Sequence, residues 1–85
     1  MNWINDVQIE CIKEFCCGLF AGIHLAGKTR EEVFDDDWWM NWNVGIEVNV
    51  WLDGEDWRVT AYKIDSDGIV DQNDYLRIDI GDLWK

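Results

Sequence analysis

"IEVNVWLDGEDWRVTAYK", Ile46 to Lys63, decides the fold. Ile46, Val48, Val50 and Leu52 alternate with Glu47, Asn49 and Trp51, and after "DGED" Trp57, Val59 and Ala61 alternate with Arg58, Thr60 and Tyr62. Successive side chains of a strand point to opposite faces, so this period of two marks a pair of half-buried strands, and Asp-Gly between them marks a hairpin turn. A turn on Asp53-Gly54 pairs Val50 with Trp57, whereas one on Gly54-Glu55 pairs Val50 with Val59. Both registers keep the apolar set on one face, because they differ by two residues and not by one. Downstream, "YLRIDI" supplies a third strand with Leu76, Ile78 and Ile80 inward and Tyr75, Arg77 and Asp79 outward.

A sheet with one apolar face needs a cover, and the N-terminal third supplies it. At 100° per residue Ile9, Ile12, Phe15, Cys16, Leu19, Phe20 and Ile23 fall within an arc of about 140°. Glu10, Lys13, Glu14, Cys17, Ala21 and His24 share the other side. Asn5 and Gln8 have the spacing of a capping box, and Ile4 with Ile9 that of a hydrophobic staple. The helix therefore starts after Asn5 and runs to about Ala26, with Gly27 at its stop. Thr29 and Glu32 repeat the capping-box spacing, which predicts a short second helix from Arg30 to Asp35. The tryptophan-rich stretch that follows reads as a loop. The fold class is α+β: an N-terminal helix and a short second helix packed on a three-stranded antiparallel sheet, residues 1–85 forming one domain.

Charge restricts the partners. Eighteen acids against seven Lys plus Arg give −11, and residues 35–85 alone carry thirteen acids and four bases. Such a field favours encounter with cationic surfaces and opposes direct binding to nucleic acid or an anionic membrane. The hydrophobic content of 48%, with seven Trp, is too apolar for a disordered acidic tail. The longest apolar run, "FCCGLFAGIHLAG", is thirteen residues with a histidine inside it. That is short of the roughly 18–20 a membrane span needs. Asp6, Glu10 and Glu14 precede it with only Lys13 as a base, the reverse of a secretory n-region. Cys11, Cys16 and Cys17 form no spaced disulfide framework, so reduced thiols and the cytoplasm are expected.

Catalytic and metal chemistry find no support. "DSDGIVDQND" matches a calcium loop at Asp65, Asp67, Gly68 and Asp74, but its first ligand position is Lys63 and its flanks read as strands. Cys17 and His24 are seven residues apart on one helix, about 10 Å along the axis, too far to share one zinc ion. A single His and a single Ser leave no convincing nucleophilic arrangement, and a chain this short forms little cleft. No phosphate-cradling glycine loop is present. The expectation is therefore no catalysis, no metal and no cofactor.

What remains is "EEVFDDDWWMNW", Glu31 to Trp42, where five carboxylates and three tryptophans share twelve positions. Adjacent Trp38 and Trp39 cannot easily both turn inward, so at least one is expected at the surface inside a rim of charge, the composition of an interface anchor. The candidate partner-binding residues are Glu31, Glu32, Asp35, Asp36, Asp37, Trp38, Trp39 and Trp42, joined by Asp53, Glu55 and Asp56 of the hairpin turn. The alternative for the tryptophans is plugging one end of a small core. The sheet face away from the helix has two readings as well: a solvated polar face with cation–π pairs, or a binding face working through Trp51, Tyr62 and Tyr75.

In overall character, a single small acidic domain of helix plus three-stranded sheet without a catalytic motif, the chain resembles the anti-CRISPR and anti-restriction proteins that phages make against bacterial defence. The resemblance implies a non-catalytic inhibitor in the cytoplasm of a bacterial host. Its partner would be a basic nucleic-acid-binding protein such as a CRISPR effector, with carboxylates standing where phosphates normally sit. Two other classes stay open. Tryptophan beside acid also suits a cage for a cationic group such as a methylated lysine. Gly18 and Gly22, four residues apart, suit close packing of the helix on a strand or on a second copy; an assembly subunit would form a homodimer through them or through an open sheet edge.

Overall fold

The structure, a computed structural model, describes residues 2–34, 37–43, 45–54 and 56–80. Helix α1 spans Asp6–Leu25. The Asn5 side chain accepts the Gln8 backbone N–H at 2.8 Å while the Gln8 side chain accepts that of Asn5 at 2.9 Å, so two donors that the helix leaves orphaned are satisfied reciprocally. At the other end the Lys28 N–H reaches the Ile23 carbonyl and the Gly27 N–H that of His24, the two bonds of a Schellman stop. The motif needs a left-handed residue, and Gly27 supplies it at φ 72°. Helix α2, Arg30–Phe34, is capped by Thr29 and Glu32 as their spacing predicts. The expected end at Asp35 lies outside the described residues.

Four antiparallel strands follow as a meander: β1 Asp37–Asn43, β2 Ile46–Asp53, β3 Asp56–Ile64 and β4 Val70–Ile78, in the order β1-β2-β3-β4. The sequence predicts three strands, with residues now in β1 assigned to a loop. In β1, Trp38, Met40 and Trp42 pack toward the core while Asp37, Trp39 and Asn41 are exposed, so the period is two after all. An aromatic on the outward side hides that alternation from a reading of apolar against polar. The β2–β3 register is Val50 with Val59 and Asp53 with Asp56, the second of the two that keep the apolar set on one face. Gly54 sits at φ 66°, where a side chain would be strained.

The β4 strand starts earlier than "YLRIDI" suggests. An irregularity between Tyr62 and Ile64 lets Ile64 pair with Val70. Asp65 closes the β3–β4 turn: its carboxylate accepts the N–H groups of Asp67 and Ile69, and Gly68 takes φ 79°. The segment with partial calcium-loop character is thus a hairpin turn with its own internal bonds followed by the start of β4.

The helix crosses one face of the sheet from β4 toward β1. Trp3, just before it, donates its indole N–H to Asp74 of β4 at 2.8 Å, and Phe15 meets Trp42 of β1 edge-on at 5.4 Å. Along the helix Ile12, Cys16, Phe20 and Ile23 are buried in one cluster with Val48, Val50, Val59 and Ala61. Each large aliphatic or aromatic side chain so buried contributes roughly 1.5–3 kcal/mol. Phe34 lies 5.9 Å from Phe20, 5.4 Å from Trp38 and 5.8 Å from Trp57, locking α2 over the β2–β3 turn end of the core. Cys17, expected on the outer side of α1, is half-buried against this core. Among the described residues no helix is long and apolar enough to cross a membrane.

Candidate partner-binding surface

The alternation of β1 divides the three tryptophans. Trp38 and Trp42 are half-buried on the helix side, the first against Phe34 and the second against Phe15, and only Trp39 opens to solvent, 42% exposed, on the far side. Asp37 beside it accepts the Trp39 indole N–H at 3.3 Å. Strand parity divides them: two pack on the core and one stands at the surface.

The acids gather at one end of the sheet. Asp37 opens β1 and pairs with Trp51, two residues before Asp53, and Asp53 pairs with Asp56 across the turn. Glu31 and Glu32 stand on α2, whose last residue, Phe34, packs on Trp57 at the same end. All five carboxylates are exposed. Arg58 engages two of them, its Nε 3.4 Å from Asp53 and its Nη2 3.6 Å from Asp56. Pairs this exposed are worth little, so Asp53 and Asp56 remain open to another cation. Burial pulls the Arg30 guanidinium, which lies 5.2 Å from the Phe20 ring centre, below its ordinary pKa, and the Glu31 charge opposes that shift. Asp35, Asp36 and Glu55 lie outside the described residues.

The far face of the sheet carries a second arrangement. Trp39 from β1 reaches across β2 to Tyr62 of β3, ring centres 5.5 Å apart, and Tyr62 meets Tyr75 of β4 at 5.8 Å. Beside this row Trp51 donates its indole N–H to the Thr60 hydroxyl at 2.9 Å and lies 5.7 Å from the Arg77 guanidinium. The aromatic cover leaves Asn49 and Thr60 only 5% and 2% exposed although they sit on the side away from the helix. Asn49 compensates by donating to the Trp38 carbonyl at 3.2 Å. Tyr62, Tyr75 and Trp51 were legible in the sequence as members of this face. Trp39 was not, and the signal that places it there is the outward parity of β1.

Among the described residues no group of three or more His, Cys, Asp or Glu side chains converges as a metal site. Cys16 is fully buried, which pushes its thiol up to about 12, with the neighbouring Cys17 adding to the shift. Fold and surface together define a small acidic α+β domain, a helix-backed four-stranded meander with carboxylates at one end and aromatic rings on its open face. No protein-family model matches the chain, and neither a curated protein nor a solved structure matches it.

Proposed function

We propose that the chain is a non-catalytic inhibitor of a bacterial nucleic-acid enzyme, acting in the host cytoplasm. Its foremost partner is a CRISPR effector, whose DNA or guide binding it blocks. The observation that carries this reading is the gathering of exposed Glu31, Glu32, Asp37, Asp53 and Asp56 at one end of a rigid sheet, on a chain of net charge −11. Carboxylates held by helix and strand offer a fixed array to a lysine- and arginine-lined groove. Complementary charge of this kind speeds encounter and excludes nucleic acid from the same groove. Pairing of the groove's cations with carboxylates releases bound ions to the solvent, as pairing with DNA does, so the interaction weakens steeply with salt.

The test is capture of a CRISPR effector by the immobilised chain from a nuclease-treated bacterial lysate, with elution by rising salt and by duplex DNA. Retention of the effector, released by both, is the expected result. Retention that DNA does not reverse, or none at low salt, overturns the proposal. Replacing Asp35, Asp36 and Asp37 together by Asn weakens the captured complex and flattens its salt dependence. Unchanged affinity at low salt would remove these acids from the interface.

A further inference from the structure

The row formed by Trp39, Tyr62 and Tyr75 is not needed to close the core. Trp39 and Tyr75 are 42% and 49% exposed and the helix lies on the opposite side of the sheet, yet three strands contribute to one continuous strip of rings. Its surroundings are net negative. Glu47 stands on β2 between Asn41 and Tyr62 in the strand register, on the same far face, and its side chain makes no ion pair or hydrogen bond among the described residues. Among the described residues the strand register places Asp37, Glu47, Asp53 and Asp56 on this face against Arg58 and Arg77, so carboxylates outnumber cations there. Ring faces carry the negative lobe of the aromatic quadrupole, so rings and carboxylate present one sign to whatever docks.

We infer that the Trp39–Tyr62–Tyr75 strip, with Glu47 beside it, is a docking site for an arginine side chain presented by a partner protein. The strip selects arginine over lysine because a planar guanidinium lies flat on a ring while its N–H groups reach a carboxylate at the edge, whereas an ammonium is compact and strongly hydrated. The far face thereby extends the contact surface beyond the acidic end of the sheet. The inference rests on the proposed function for its partner class, a basic protein, but the strip is tested apart from it.

Tetra-arginine and tetra-lysine, equal in length and charge, are titrated into the full chain at about 0.1 M salt, where exposed charges beyond about 10 Å are screened, and followed by the nuclear magnetic resonance signals of the tryptophan indoles and tyrosine rings. Tetra-arginine is expected to move the Trp39, Tyr62 and Tyr75 signals and to bind about two- to fivefold more tightly than tetra-lysine, the worth of one exposed cation–π contact. Tyr75→Leu and Glu47→Gln should each remove most of that preference. Tyr75→Phe, which keeps the ring, should retain it, and Glu31→Gln with Glu32→Gln should weaken both peptides alike. Equal affinity for the two peptides, or shifts confined to α2 and the β2–β3 turn, overturns the docking site and leaves the inhibitor proposal standing. Shifts of the strip by an uncharged oligosaccharide such as cellohexaose, with none by tetra-arginine, overturn it in favour of a glycan platform. Loss of effector capture with the arginine preference intact removes the inhibitor proposal alone.

Discussion

At the residue scale the three thiols report directly on burial. Cys11 is exposed, Cys17 half-buried and Cys16 buried among Ile12, Phe20 and the sheet. Ionising Cys16 inside that core is opposed by desolvation, which moves its pKa from 9.0 to about 12. A disulfide-exchange reagent should therefore label Cys11 first and Cys17 more slowly, and Cys16 only as fast as the chain unfolds. Immediate modification of all three would contradict the packing of α1. The same shift links stability to pH. Below 9.0 the thiol is protonated in both states and contributes no pH dependence; between there and about 12 the unfolded chain loses the proton first. Stability must then fall as pH rises through that window. Chemical denaturation from pH 8 to 11 should show the fall, and Cys16→Ala, though less stable throughout, should show a shallower one; parallel slopes would assign the effect to other groups.

At the scale of elements, α1 is well capped at both ends yet carries two glycines in its interior. A methyl group added at Gly18 or Gly22 meets nothing within 4 Å, so neither glycine provides the close approach to a strand that their spacing suggests. Glycine in a helix interior is less favourable than alanine by about 0.8–1.0 kcal/mol. Gly18→Ala and Gly22→Ala should each raise the unfolding free energy by about that amount, read as a higher denaturant midpoint. A loss of stability together with a drop in mass by light scattering would instead mean that this helix face packs on a second copy of the chain. The sheet shows the complementary case. The central strands β2 and β3 are covered on both faces, by α1 on one and by Trp39, Trp51 and Tyr62 on the other, while β1 and β4 are edges.

For the whole molecule the dominant quantity is −11 held within a radius of gyration of 13.0 Å. Like charges this close repel in the folded state more than in the expanded one, so the field that favours a basic partner also strains the free domain. Raising the salt from about 0.01 M to about 0.15 M shortens the screening length from about 30 Å to about 8 Å. The thermal midpoint should rise over that interval, by about 4–8 °C for each kcal/mol of relieved repulsion in a domain of this size. A flat or falling midpoint would show that local ion pairs such as those of Arg58 outweigh the net field. The same screening weakens capture of a basic protein, so stability and binding should move in opposite directions with salt.

What the sequence by itself determined are the features whose physics is local. The caps of α1 and α2 depend on side chains three residues apart, the core face of α1 on a period of 3.6 that misplaces only Phe15, which is 40% exposed, and Cys17, and the core face of the hairpin on a period of two that either register preserves. The net charge is a sum over residues and needs no coordinates. Tertiary structure decided what depends on a distant neighbour. Val50 pairs with Val59 and Asp53 with Asp56, a register that the apolar pattern alone leaves equal to the other. The "WWMNW" segment becomes a fourth strand because β2 offers it an edge, and that pairing sends Trp38 to the core and Trp39 to the far face. Once Trp39 is there, residues 39, 62 and 75 form one strip, a contact between three strands that no local periodicity encodes.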